Sequence, residues 1–285
     1  MAEFVNNANM GERPEQAWHL TRLVADEEIG SRILGQCVAL QPNMYIPTDR
    51  QEEFWTLVIE LSKKLERVKH HKDRCIQMAR DSVARARAAA VEKDSPPTPR
   101  VHTVVESDHT TGIEAEVEAF LMQSKAALDL LCKVLRPLAG ISLHTFGKKG
   151  ATVADALRNN VPDTKKARAE ELARLVENDR PWLTELINSR DSVTHYAGLW
   201  SSGVRVHRVG DDATVSEPAD KQGLSFTVIV ETLYYNLLTF CEDFVALAIN
   251  IAMPQGLTVR IVGETDRADF LTYKYGIGAI GLPPA

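Results

Sequence analysis

Apolar or small residues recur at Phe54, Val58, Leu61, Leu65, Val68, Cys75, Ala79, Val83, Ala86 and Ala90, mostly three or four positions apart. That period places them on one face of a helix packed lengthwise on a partner. Pro47 followed by Thr48 and Gln51 forms a T-x-x-Q capping box, and the SPPTP run, Ser95 to Pro99, cannot continue a helix. The pattern therefore predicts one long helix over about 48–93, ended by a linker.

Beyond the linker, Val101 to Val105 reads as a short strand, and Gly112 opens a helix whose stripe is Ile113, Val117, Phe120, Leu121, Ser124, Leu128, Leu131 and Leu135, ended near Pro137. A glycine loop leads to two shorter helices, Thr152 to Asn159 and Thr164 to Asn178. A third is begun by Pro181 at a first-turn position, where the missing N–H is no loss. Val204 to Val209 and Ala213 to Ser216, separated by GDD, predict a β-hairpin that projects before a long helix, Phe226 to Met253. Leu257 to Val262 suggests one more strand, and the tail GIGAIGLPPA is expected to be loose or to dock on a partner. The expected fold is mainly α, an up-and-down helical bundle with a long N-terminal helix and minor β-hairpin and strands. Residues 1–100 form an N-terminal segment and 101–285 a helical domain with the hairpin inserted at about 203–217.

Composition changes this picture little. At 285 residues, 44% hydrophobic and 25% charged, the chain is long enough for one large domain or two small ones. Cys37, Cys75, Cys132 and Cys241 lack paired short spacings and suit a reducing cytosol. The N-terminus, MAEFVNNANMGERPEQ, has neither a basic region nor an apolar run of the secretory kind, so the expected location is cytoplasmic. Phe226 to Met253 is apolar but carries Glu231, Asn236, Glu242, Asp243 and Asn250, which points to a buried central helix and not a membrane span.

Charge adds more. The net charge of −6 argues against a wholly nucleic-acid-binding surface, but Leu61 to Lys93 holds ten Lys/Arg against four acids, a local +6. A solvated basic face is the plain explanation; an RNA-facing or dimerising arm is the sharper one.

The helix after Pro181 carries the main anomaly. With Trp182 at zero and about 100° per residue, Leu186, Ala197, Leu183, Ile187 and Val193 form the apolar stripe, and Arg190 falls at about 80°, within it. Thr184, Asn188, Asp191 and His195 lie on the opposite side. A guanidinium stays charged, so an arginine among leucines needs an anion or water access. One candidate anion is a carboxylate of a neighbouring helix, from Glu231, Glu242, Asp243 or Asp129. The other is a phosphate, because a forked donor beside a histidine is a minimal kit for RNA cleavage without a metal. Residues five apart differ by about 140° around a regular helix, so Arg190 and His195 meet only at a distorted helix end or across two copies of the chain. His195 aligns with Asp191 one turn earlier, which could orient its imidazole.

Arg190, Asp191 and His195 fit an R-[polar]-x-x-x-H signature within RDSVTH, set in a helical chain. The region from about Val101 to Met253 resembles the HEPN superfamily, many of whose members are metal-independent ribonucleases of toxin–antitoxin and antiviral systems. The resemblance implies Arg190 and His195 as the catalytic pair, Asp191 as their polar neighbour, and a homodimer that brings both motifs into one cleft. It implies an RNA substrate, an antitoxin or sensor protein as a further partner, and neither cofactor nor metal. Asn188, and Lys148 and Lys149 ahead of a helix N-terminus, are candidate RNA contacts. FGKKGAT lacks the spacing of a phosphate loop, and His71 with Cys75, one turn apart, has no second ligand pair. The competing expectation is a catalytically inert helical interaction module in which Arg190 is a structural salt-bridge partner.

Overall fold

A computed structural model describes residues 24–92, 100–104, 107–147, 150–195, 204–209, 212–219, 223–262 and 274–280. In chain order these form α1 (Glu27–Ile29), a π-helical turn (Gly30–Gly35), α2 (Gln36–Leu40), α3 (Thr48–Glu92), β1 (Arg100–Val104), α4 (Ser107–Lys133) and α5 (Leu135–Ala139). There follow α6 (Ala151–Asn159), α7 (Lys166–Asn178), α8 (Arg180–His195), β2 (Val204–Val209), β3 (Asp212–Ser216), α9 (Phe226–Ala252), β4 (Leu257–Ile261) and β5 (Tyr275–Ala279). The fold is mainly helical, as the periodicity requires.

The seam of α3 is buried from Phe54 through Ala79, and Ala86 with it. Its start differs in detail: Gln51 Nε2 donates to the Ile46 carbonyl (3.1 Å) and so holds the preceding turn instead of closing the reciprocal box with Thr48. α4 begins at Ser107, five residues before Gly112, which is therefore a mid-helix residue. A Cβ at Gly112 would lie 2.6 Å from Met78 Cε, the flexible end of a side chain on α3, which would have to shift. Pro137 does not end α4; it sits in the first turn of α5, where its absent N–H is harmless, and Gly140 caps that helix at φ +75°.

The chain forms two compact units. One comprises residues 1–66, 126–181 and 238–285. Its interior includes an aromatic run, Phe146–Phe240–Phe244, with successive ring centroids 5.8 Å apart. Arg32, in the π-helical turn, reaches fully buried Glu242 at 2.9 Å and Glu28 at 3.1 Å. Arg168 donates to the carbonyls of Asn250 (2.9 Å), Met253 (2.6 Å), Pro254 (3.0 Å) and Leu257 (2.6 Å), closing the C-terminal end of α9, where helix carbonyls lack intrahelical partners. Gly276 to Ala279 of the expected loose tail belong to β5, antiparallel to β4, and Gln36 grips the Tyr275 backbone at both N–H (3.0 Å) and C=O (2.8 Å). The last residues, 281–285, lie outside the described ones.

The second unit comprises residues 67–125 and 182–237. β2 and β3 form the expected hairpin, and β1 joins it to make an antiparallel sheet of order β1-β2-β3. The hairpin does not project: Val204 and Val206 are buried with Ala86 of α3, with Val83 and Val215 packed alongside. Alternation along β2 puts the two valines on the helix side and Arg205 between them on the other face. Lys72 lies over the Tyr234 ring at 4.9 Å while bonding Asp73 at 2.8 Å.

α9 is long and apolar enough to cross a membrane by length and composition, and 72% of its most apolar window is buried inside the structure, which fits a core helix.

Candidate nucleic-acid interface

α8 carries the anomalous arginine. Leu183, Leu186 and Ile187 are buried, as the stripe predicts. Arg190 is not buried among them: a third of its side chain is exposed, Nη1 lies 2.8 Å from Asp191 Oδ1, and Nε donates to Met122 Sδ of α4 at 3.3 Å. The carboxylate on Arg190 is thus its own sequence neighbour, itself 31% exposed, and not one of the four candidates on other helices. Three of those four are engaged elsewhere, Glu242 by Arg32, Asp243 by Lys274 and Tyr275, and Asp129 by Thr145 and the Phe146 N–H. Asp191, expected to orient His195, bonds Arg190.

α8 stays α-helical through His195, so its end is not unwound. Arg190 and His195 of one chain accordingly keep their separation of about 140° around the axis. The side chain of His195 lies outside the described residues, as do those of Val193 and Ala197 of the stripe. Asn188 is exposed on α8. Lys148 and Lys149 also lie outside the described residues.

A second feature of the same unit is a groove of about 640 Å³ between the C-terminal half of α3 and the hairpin. Arg80, Val83, Ala84 and Arg87 line it from α3, Arg205, Val215, Ser216 and Glu217 from the hairpin side, and Ser225 and Thr227 from the start of α9. The α3 residues are spaced i, i+3, i+4, i+7 and so share one face. The basic run in the sequence pointed to this helix; the hairpin that makes it a groove wall had no charge signal of its own.

No family model, curated protein or solved structure matches this chain.

His71 and Cys75, the residues spaced like a metal pair, are turned to other ends. His71 Nδ1 is 2.8 Å from Glu116 Oε2. The Cys75 thiol is buried, and burial first, then the nearby Glu116 charge, pushes its pKa up to about 12. The thiolate that a metal would require is therefore disfavoured.

Proposed function

We propose that the protein is a metal-independent endoribonuclease of the HEPN type that works as a homodimer, with Arg190 and His195 at its centre. The observation that supports this reading is the position of Arg190: a guanidinium on an apolar helix stripe that turns to the surface, a third exposed, at the edge of a helix that continues without a break to His195. Its bond to Asp191 is exposed enough for an RNA phosphate to compete for the guanidinium. Because α8 is regular, a site using both residues needs a second copy of the helix across a two-fold axis.

In such a groove one imidazole removes the proton of a ribose 2'-hydroxyl. The 2'-oxygen then bonds to phosphorus, the bond from phosphorus to the 5'-oxygen breaks, and the second imidazole protonates that oxygen. Arg190 stabilises the negative charge that grows on the non-bridging oxygens. The products are a 2',3'-cyclic phosphate and a 5'-hydroxyl end. The resemblance extends the proposal to a toxin or antiviral-defence effector held in check by an antitoxin or sensor protein.

Purified protein incubated with total RNA and excess chelator should give fragments ending in cyclic phosphate, with Arg190→Ala and His195→Ala each inactive. Co-refolding the two inactive variants should restore no activity, since a mixed dimer holds a single His195 and the reaction uses both imidazoles. Cleavage that survives both substitutions removes the proposal.

The Arg190–Asp191 bond favours a second reading, the inert helical interaction module, in which the pair only orders the end of α8. Under that reading RNA stays intact with every variant.

A further inference from the structure

We propose that the groove between α3 and the β2–β3 hairpin binds the sugar-phosphate backbone of single-stranded RNA and guides it across this unit. Two guanidiniums from one face of α3, those of Arg80 and Arg87, line it opposite a single carboxylate, Glu217, and both arginines are exposed. Among the described residues no carboxylate pairs with Arg80 or Arg87, so their charge is directed to solvent. Glu217 is held at the groove wall, both its oxygens 2.8 Å from the Thr227 hydroxyl.

The floor of the groove decides which kind of anion fits. Arg80 and Arg87 are two helical turns apart on one face, about 10 Å along the axis. Side chains as long as arginine's can take one phosphate or two from that separation, so the surface between them makes the choice. The floor between them is Val83, Ala84 and Val215, apolar surface on which an unpaired base can rest, and Ser216 and Ser225 at the wall offer hydroxyls to backbone oxygens. Val204 and Val206 pack the hairpin onto Ala86 of the same helix and so hold the two walls together. A single strand is favoured over a duplex because paired bases would hold their faces away from that floor.

The choice of RNA as the polymer rests on the ribonuclease reading; the anion chemistry of the groove does not. Binding of a labelled 20-nucleotide oligouridylate is measured by fluorescence anisotropy from 0.05 to 0.5 M salt, in full-length His195→Ala protein so that the probe stays intact. Each guanidinium withdrawn from a phosphate should lower the slope of log K against log salt by about 0.7, so the double change Arg80→Ala, Arg87→Ala should lower it by about 1.4 and weaken binding at 0.1 M salt about 25-fold. The double lysine variant keeps the charge and should stay within a few-fold of the parent, which separates a groove effect from misfolding. An alanine variant that binds with the parental affinity and slope, or a parent that does not bind the oligonucleotide, overturns the proposal. Should wild-type protein leave total RNA intact while the slope still falls by about 1.4, the groove stands and the nuclease reading alone is lost.

Discussion

Arg190→Ala distinguishes a site from a structural pin by what it does to stability as well as to activity. The guanidinium is bonded to Asp191 at 2.8 Å with the two side chains 33% and 31% exposed, and it also meets the Met122 sulfur, a weak acceptor. An ion pair this open to water contributes about 0–1 kcal/mol after solvent screening. Truncation leaves Asp191 hydrated and not stranded. A buried pin would behave otherwise: removing one member leaves an uncompensated charge and costs about 3–5 kcal/mol. At about 2–4 °C per kcal/mol for a chain of this class, the structure predicts a Tm drop below about 4 °C, against about 6 °C or more for a pin. The check is a thermal melt by circular dichroism run beside the RNA cleavage assay on the same preparation. A small Tm change with complete loss of cleavage supports the catalytic assignment. A drop of about 6 °C or more would refute the inference that the Arg190–Asp191 bond is a surface pair, and with it the reason for reading Arg190 as available to RNA.

The first unit yields three more expectations. Arg158 holds both Glu170 (2.8 Å) and Glu177 (2.6 Å), and its hydrogen bonds pull the two carboxyls below their ordinary value of 4.5. Because the folded pKa is depressed, that contribution is present above the ordinary value and disappears as pH falls through the lower folded one. Tm measured from about pH 6 down to about pH 3 should therefore fall less steeply in Arg158→Ala than in the parent, and parallel curves would rule the pair out as an acid-labile element. Arg168→Ala removes four donors to carbonyls at the end of α9 and should cost about 2–3 kcal/mol in urea unfolding, one charged hydrogen bond's worth, since water re-solvates the exposed carbonyls; a cost below about 0.5 kcal/mol would contradict the capping role. Cys37, Cys132 and Cys241 of this unit are buried thiols outside any disulfide, so a thiol reagent should label none of them rapidly until denaturant is added, and immediate labelling of Cys37 or Cys241 would contradict the packing of this unit.

How much of the fold was legible depended on whether an element carries its own period. The seam of α3 and the stripe of α4 could be read directly because burial on one face selects residues three and four apart. Residues 27–40 contain Ile29, Ile33, Leu34, Cys37, Val38 and Leu40, all buried, but Gly30 and Gly35 are poor helix formers and the π turn between them shifts the phase of the pattern. A local signal existed there: Asp26 caps the segment by accepting from the Ile29 N–H at 3.0 Å. The strand at Tyr275 was hidden by two glycines that depress strand propensity for a tertiary reason. A Cβ at Gly276 would meet Val262 at 2.9 Å, and one at Gly278 would collide with the Arg260 side chain that crosses it. Nothing in the local sequence announces a neighbour that is only set by pairing with β4.

The site shows the same boundary from the other side. A helical wheel tells which way a Cβ leaves the axis, and it correctly gave Leu183, Leu186 and Ile187 to the interior. It does not tell where a long side chain ends. Arg190 leaves α8 near that stripe, yet its guanidinium has the reach to turn about 100° around the helix and meet Asp191, the next residue, which a wheel counts as facing elsewhere. The aliphatic stem thus remains beside apolar neighbours while the charge reaches partial water, so the apparent conflict of an arginine among leucines is resolved within one turn of helix. That resolution removes the need for a buried carboxylate from another helix. It also leaves the guanidinium where a stronger anion can displace a partly solvated aspartate. The two aspects are one property: the pair is weak because it is wet, and being wet is what makes Arg190 accessible to a phosphate.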